Sequence, residues 1–300
     1  MSAKNSDART IRIATRPSPQ ARTQAGFVAE AITAATALPC ELVFVESTGD
    51  VRAEVPLHQM AGQGIFVKEV QRAVLDGRAD VAVHSAKDLP SAQADGLVIG
   101  AFTQRRSPED VLVGLPLASL TQGATVATGS VRRRAQLARI RPDLRFEELR
   151  GNIQTRLSRI PDGGSIVMAR AALEILGLTD RIAEVLDVDT AVPMVGQGCV
   201  AVEARTGDDR VLSALASVDH AATRRAVETE RAFLAELGAG CSLPVAAYMS
   251  PDGVFRAFMS DGAESVQVTG HVGDTDDHRI VGTATAVECR RLLAGGAAGA

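Results

Sequence analysis

The chain has 300 residues, room for two or three domains, and its 46% hydrophobic and 23% charged residues are the balance of a globular protein with several cores. A formal net charge of −4, one Tyr and no Trp argue against bulk attraction to nucleic acid and against base stacking. No apolar run approaches the roughly 18–20 residues that span a bilayer. Met1 to Thr10 are polar, without the apolar centre of a secretion signal. A cytoplasmic location is therefore expected, with no nucleic-acid or membrane partner.

The predicted elements alternate from the start. Ile11–Ala14 reads as a strand, Gln20–Ala37 as a helix with apolar residues at Phe27, Val28, Ala31, Ile32 and Ala35, and Leu42–Val45 as a second strand. Phe66, Val67, Val70, Ala73 and Val74 mark a helix leading into a strand at Val81, and Leu97–Gly100 follows. This is the βαβ rhythm of a mostly parallel sheet. A second unit of similar rhythm begins near Arg105, with strands at 111–113, 124–127, 144–146 and 166–168 and helices at 134–140, 153–160 and 171–176. The loop Pro193–Gly198 precedes a strand at Val200–Glu203. A third region opens with a helix over about 221–237, broken by Gly238-Ala239-Gly240. Strands at 245–248, 254–258 and 266–270 on short turns read as a three-stranded antiparallel sheet. A last helix spans about 280–293, and 295–300 are expected to fray. The fold class is α/β followed by a small α+β domain. The boundaries are 1–104 with 198–218, then 105–197, then 219–300.

The strand at Val81 breaks off into His84-Ser85-Ala86-Lys87-Asp88-Leu89-Pro90, and Pro90 stops a helix from continuing. In an open α/β sheet the carboxyl ends of strands border the binding crevice, so this run is a candidate site. Lys87 stands out because the 32 basic residues include only three lysines, Lys4, Lys68 and Lys87. Arginines gather at equivalent junctions: Arg16 after the first strand, Thr128-Gly129-Ser130-Val131-Arg132-Arg133, and Arg150-Gly151-Asn152 through Arg156. Hydroxyls, backbone N–H groups and Arg forks at helix starts suit anions. Basic residues there oppose the helix dipole, and a bound polyanion would offset that cost.

The four cysteines, Cys40, Cys199, Cys241 and Cys289, contain no CxxC pair, and the five His form no HExxH, so no metal is expected. Cys241 lies in a loop between Gly240 and Pro244, the most accessible setting of the four, whereas Cys40, Cys199 and Cys289 fall in segments that read as helix or strand, Cys199 in a strand core. Its reactivity would need a lowered pKa or a bound electrophile.

Several of these runs together resemble the porphobilinogen deaminase (hydroxymethylbilane synthase) family. His84 to Pro90 is similar to its HSxKDxP signature. Arg12–Arg16 with Ser18, Gly64–Glu69, Leu149–Asn152 through Arg156, Gly196-Gln197-Gly198, Glu230-Arg231-Ala232 and Gly240–Pro244 follow in family order. The resemblance implies two α/β domains like type II periplasmic binding proteins and a third domain whose cysteine, Cys241, carries a dipyrromethane cofactor by a thioether. It implies an enzyme that joins four porphobilinogen units head to tail with loss of ammonia and releases hydroxymethylbilane. Asp88 would then be the catalytic carboxylate, stabilising the pyrrole nitrogen as an azafulvene-like cation forms. Lys87, Thr128, Ser130, Arg132 and Arg133 would hold cofactor carboxylates. Arg16, Ser18, Ser85, Arg150, Arg156 and Gln197 would hold substrate. A monomer acting on a small molecule is expected.

The chain departs from the family at Gln59, Gln63 and Ile175, where basic residues are common, at Gly129, often Ser, and at Gln20 and Arg22. The C-terminal domain also looks short. Two other readings stay open: an inactive or altered paralogue, and an anion-binding protein of the same fold. The Gly240-Cys241 loop counts against the second.

Overall fold

The computed structural model describes residues 10–47, 66–238 and 243–297. In chain order the elements begin β1 (Ile11–Thr15), α1 (Pro19–Thr36), β2 (Cys40–Phe44), α2 (Lys68–Leu75), β3 (Val81–Ser85) and β4 (Leu97–Phe102). There follow β5 (Asp110–Gly114), β6 (Thr125–Ala127), α3 (Val131–Ile140), β7 (Arg145–Glu147), α4 (Ile153–Leu157), β8 (Ser165–Ala169), α5 (Arg170–Ile175) and β9 (Glu184–Val185). The chain ends with β10 (Val200–Arg205), α6 (Asp209–Ala216), α7 (Ala221–Glu236), β11 (Val245–Met249), β12 (Val254–Ser260), β13 (Ser265–His271) and α8 (His278–Ala297).

Local chemistry sets the ends of these elements. Ser18 caps α1, accepting from the Ala21 N–H, and Pro19 opens the helix where its missing N–H costs nothing. Ser130 caps α3 through the Arg133 N–H, and Asn152 caps α4 through the Thr155 N–H at 2.9 Å. Each such cap is worth about 1 kcal/mol.

The described residues fall into two compact units, one of 10–47, 66–105 and 199–224 and the other of 106–198, 225–238 and 243–297. The first holds a five-stranded sheet in the order β2-β1-β3-β10-β4. β1, β2 and β3 run parallel, while β10 runs antiparallel to both its neighbours. Ile11, Ile13, Val81, Val83 and Val202 are buried between the sheet and the face covered by α1 and α6. Val70, Ala73 and Val74 of α2 cover the opposite face. Strands covered on both sides are apolar almost throughout, which is why Val81–Val83 is a continuous run.

The second unit repeats the plan as β7-β6-β8-β5-β9, with β5 antiparallel to β8 and β9. In each sheet the antiparallel strand is the one laid down just after the chain passes between units. That repeat underlies the shared rhythm of the two regions. The same unit carries the antiparallel sheet β11-β12-β13, packed on α7 and α8 through Phe233, Phe255, Ala286 and Cys289. Val192, Tyr248 and Phe258 join this sheet to the preceding α/β layer.

Four readings from sequence need correction. α6 was not expected; Asp208 caps it through the Val211 N–H at 3.2 Å, but two turns are too short to show a period. β9 has two residues and no pattern of its own. α8 runs through Gly295 to Ala297 rather than fraying from 295. Cys199 lies just ahead of β10 rather than within it, and is buried all the same.

Candidate active site

β1 and β3 are neighbours and parallel, so their carboxyl ends share one sheet edge. Beyond β1, the guanidinium carbon of Arg16 stands 4.3 Å from the centroid of the Phe66 ring, a cation–π contact that orients it. Ser18 Oγ accepts the Ala21 N–H as the cap of α1. Beyond β3, the Ser85 hydroxyl donates to Gln24 Oε1 of α1 at 3.1 Å. The Ala86 N–H donates to the Cys199 carbonyl at 2.9 Å, and a single 3-10 turn, Ala86–Asp88, closes through Leu89 N–H to Ala86 O. That turn sets Lys87 and Asp88, both half-buried, at the strand end. Arg16, Ser18, Ser85, Lys87 and Asp88 thus gather on one edge of the first unit.

In the second unit β6 and β7 are likewise adjacent and parallel. The Thr128 N–H donates to the Glu147 carbonyl at 2.8 Å, and the Ser130 N–H to Thr128 Oγ1 at 3.2 Å. Gly129 between them fits for a steric reason: a Cβ there would stand 2.7 Å from the Leu149 carbonyl oxygen and 2.9 Å from Glu148 Oε1. The glycine lets the Thr128–Ser130 turn lie against the segment that carries Arg150. Arg156 donates through Nε to the Gly151 carbonyl at 2.8 Å. Nη1 of Arg150 is buried and has no hydrogen-bond partner among the described residues. Burial pulls this guanidinium down from its ordinary pKa, with Glu148 partly offsetting the shift.

Arg132 and Arg133 are buried around a residue that sequence reasoning missed, Asp110 at the head of β5. Asp110 Oδ1 accepts from Arg133 Nε at 3.0 Å, Arg133 Nη2 at 2.7 Å and Gln197 Nε2 at 2.8 Å, and Oδ2 lies 2.8 Å from Arg132 Nη1. Arg132 also donates to the Val192 carbonyl, Arg133 to that of Val167 and Gln197 to that of Pro108. The only sequence signal for Asp110 is an acid opening an apolar strand. Burial pushes its carboxyl up, but the two guanidinium groups outweigh this and hold it well below the usual carboxylate range. Its contribution to stability is therefore complete above the unfolded carboxylate pKa of about 3.9 and is lost only as pH falls below that value. Asp110→Ala would strand two buried cations and is expected to cost about 3–5 kcal/mol, read as a fall in the urea midpoint.

Glu230 of α7 is a second buried carboxylate whose role the sequence did not disclose. It accepts the Gly196 N–H at 2.8 Å and the Met249 N–H at 2.9 Å, tying the Gly196-Gln197-Gly198 loop to β11. Gly198 in that loop has φ +83°, and a Cβ there would meet the Arg106 carbonyl oxygen at 2.7 Å. Ile175 ends α5 half-buried, and nothing in the structure explains the absence of a base there. Cys241, Gln59 and Gln63 lie outside the described residues. Among the described residues no His/Cys/Asp/Glu group could hold a metal, and no helix is long and apolar enough to cross a membrane.

Two α/β sheets of one plan each carry arginines and hydroxyls at the carboxyl ends of their parallel strands, where open α/β sheets bind ligands, and this donor set is the chemistry that suits anions. The orphaned Nη1 of Arg150 and the similarly buried, unpartnered Nε of Arg132 fit a ligand rich in carboxylates. The chain belongs to the porphobilinogen deaminase family. Residues 11–213 match the model described as "Porphobilinogen deaminase, dipyromethane cofactor binding domain", and residues 224–292 match its C-terminal domain. The porphobilinogen deaminase of Thermobifida fusca (strain YX) is 44% identical over 288 residues, covering 92% of this chain and 90% of its own. That of Roseiflexus castenholzii is 41% identical over 298 residues, covering 96% and 98%. Among solved structures, the methionine-binding protein MetQ has 12% identity and a TM-score of 0.45, covering 70% of this chain and 89% of its own.

Proposed function

We propose that the chain condenses four porphobilinogen units head to tail on a dipyrromethane attached to Cys241, releasing ammonia at each step and hydroxymethylbilane at the end, for tetrapyrrole and heme biosynthesis. The observation that carries this reading is the Asp88 turn beside Arg16 at one strand edge, within a chain that matches the cofactor-binding model over 11–213. The bound dipyrromethane supplies the pyrrole carbon from which the product grows.

The chain's own residues supply charge and position. Asp88 faces the positive charge that develops on the substrate's pyrrole nitrogen as ammonia leaves. A carboxylate fixed by the Ala86–Asp88 turn needs no reorganisation at that moment and assists the proton transfer. Arg16, Arg150 and Arg156, with Ser18 and Ser85, hold substrate carboxylates, whereas Gln197, expected from sequence to do the same, gives its amide N–H groups to Pro108 and Asp110 and fixes that cluster instead. Lys87, Thr128, Ser130, Arg132 and Arg133 hold those of the cofactor. Because Asp110 neutralises one of the two buried arginines, that pair contributes one net positive charge. The reading includes domains at 1–104 with 198–218, 105–197 and 219–300. It also includes a cytoplasmic monomer without nucleic-acid or membrane partners.

Purified protein supplied with porphobilinogen tests the reading by its products. One ammonia per porphobilinogen consumed, with hydroxymethylbilane formed, supports it; binding of porphobilinogen without ammonia would make the protein an anion binder instead. Arg150→Gln is expected to raise KM by about tenfold or more, the loss of a charged hydrogen bond worth about 1.5–3 kcal/mol. Its urea midpoint should stay within about 0.5 kcal/mol of the parent, since no partner of Nη1 is lost.

A further inference from the structure

The layer between α2 and the first sheet is apolar, formed by Ala14, Val70, Ala73, Val74 and Ala82, yet three polar side chains meet inside it. Gln71 of α2 donates through Nε2 to both oxygens of Glu203 on β10, at 3.1 and 2.8 Å. Nε2 of His84, near the end of β3, lies 3.1 Å from Glu203 Oε2, a close contact without hydrogen-bond alignment, and the His84 and Glu203 side chains are only 3% and 2% exposed. Apolar residues of like volume in such a place are often neutral or stabilising, so stability does not account for the cluster. Its geometry does. One carboxylate joins three elements: the helix α2, the strand β3 and the strand β10 that pairs with β3.

Two of those elements lead directly to the site. His84 is four residues before Asp88, and α2 begins two residues after Phe66, the ring on which Arg16 rests. We propose that Glu203 is a positioning residue for the reaction: through His84 and Gln71 it sets the Asp88 turn and the Phe66–Arg16 contact in register. The inference rests on the reading of Asp88 as the catalytic carboxylate. Glu203 touches neither substrate nor cofactor in this account. It acts by fixing the elements that do, and a displacement of about 1 Å at a reacting group can cost a hundredfold in rate.

Steady-state kinetics of the holoenzyme, with kcat expressed per cofactor-loaded molecule counted by intact mass, tests this. Glu203→Gln is expected to lower kcat about 10- to 100-fold and to leave KM within about threefold. Combining Glu203→Gln with Gln71→Glu puts amide and carboxylate face to face again with their places exchanged. That double variant is expected to recover kcat to within about threefold of the parent, as coupled neighbours should. A merely structural role would lower the thermal midpoint and leave kcat per loaded molecule unchanged, which overturns the proposal. So does a loss of kcat that the exchange fails to restore. If Glu203→Gln does not fold, Gln71→Met is read in its place: reduced kcat at constant KM supports the proposal, and unchanged kcat overturns it. Near-normal turnover in Asp88→Asn would remove the underlying reading. An inactive Asp88→Asn beside a fully active Glu203→Gln removes only the role of Glu203.

Discussion

Cys241→Ser is expected to leave the chain at its unmodified mass and to abolish nearly all turnover. The other three cysteines are poor nucleophiles by position. Cys289, on α8, is buried, and burial with Glu288 beside it pushes its thiol up to about 11. Cys40 is half-buried at the start of β2, and burial raises its pKa as well. Cys199 is buried, its Sγ 3.7 Å from the Thr103 carbonyl and 3.4 Å from that of Val200. Only the thiolate attacks carbon, so a raised pKa or a buried sulfur suppresses reaction. Cys241 lies outside the described residues; in the sequence it stands between Gly240 and Pro244, in a run that reads as a loop. A soft thiol there is suited to a single, lasting attachment to a methylene–pyrrole carbon. The adduct should survive thiol reductants, because a thioether is not a disulfide. Cys199→Ser should keep both adduct and activity; loss of the adduct in that variant would move the attachment away from Cys241.

Asp88→Asn is expected to lower kcat by at least about 100- to 1000-fold, the range seen when one fixed electrostatic partner of a developing charge is removed. Asparagine keeps the shape of the side chain, and the Ala86–Asp88 turn is closed by the main-chain bonds of Ala86 and Leu89. The protein should therefore fold and carry its two-pyrrole adduct, and the loss should lie in turnover. Turnover close to the parent's would remove Asp88 from the mechanism.

The parallel strands were legible because they are buried on both faces and read as apolar runs, as at Val81–Val83 and Ile166–Met168. The caps of α1 and α3 were not legible: the periodicity places the helices from Gln20 and Arg134, and Ser18 and Ser130 read as ligand contacts rather than as acceptors of the Ala21 and Arg133 N–H groups. The strand edge carrying Arg16 and Asp88 was legible because each follows such a run. What sequence could not show was pairing across long separations. β10 inserts between β3 and β4, and only that insertion brings Glu203 to His84 and Gln71. Asp110 was illegible for the same reason: a single acid at a strand head reveals nothing until Arg132, Arg133 and Gln197 are seen around it. Composition also hid the difference among arginines. Arg132 and Arg133 are held in a buried ion-pair cluster with Asp110, to which Arg150, with its unpartnered Nη1, does not belong, yet all three stand at similar junctions in the sequence.

The account's central claim is that product grows from a cofactor the chain itself holds. Intact mass of wild-type protein, purified and then given limiting porphobilinogen, tests that most directly. The resting protein should weigh as the chain plus two pyrroles. Substrate should add a ladder of species, each one pyrrole heavier, that collapses to the resting mass as hydroxymethylbilane is released. An unmodified chain mass in protein that still turns over porphobilinogen would contradict the account.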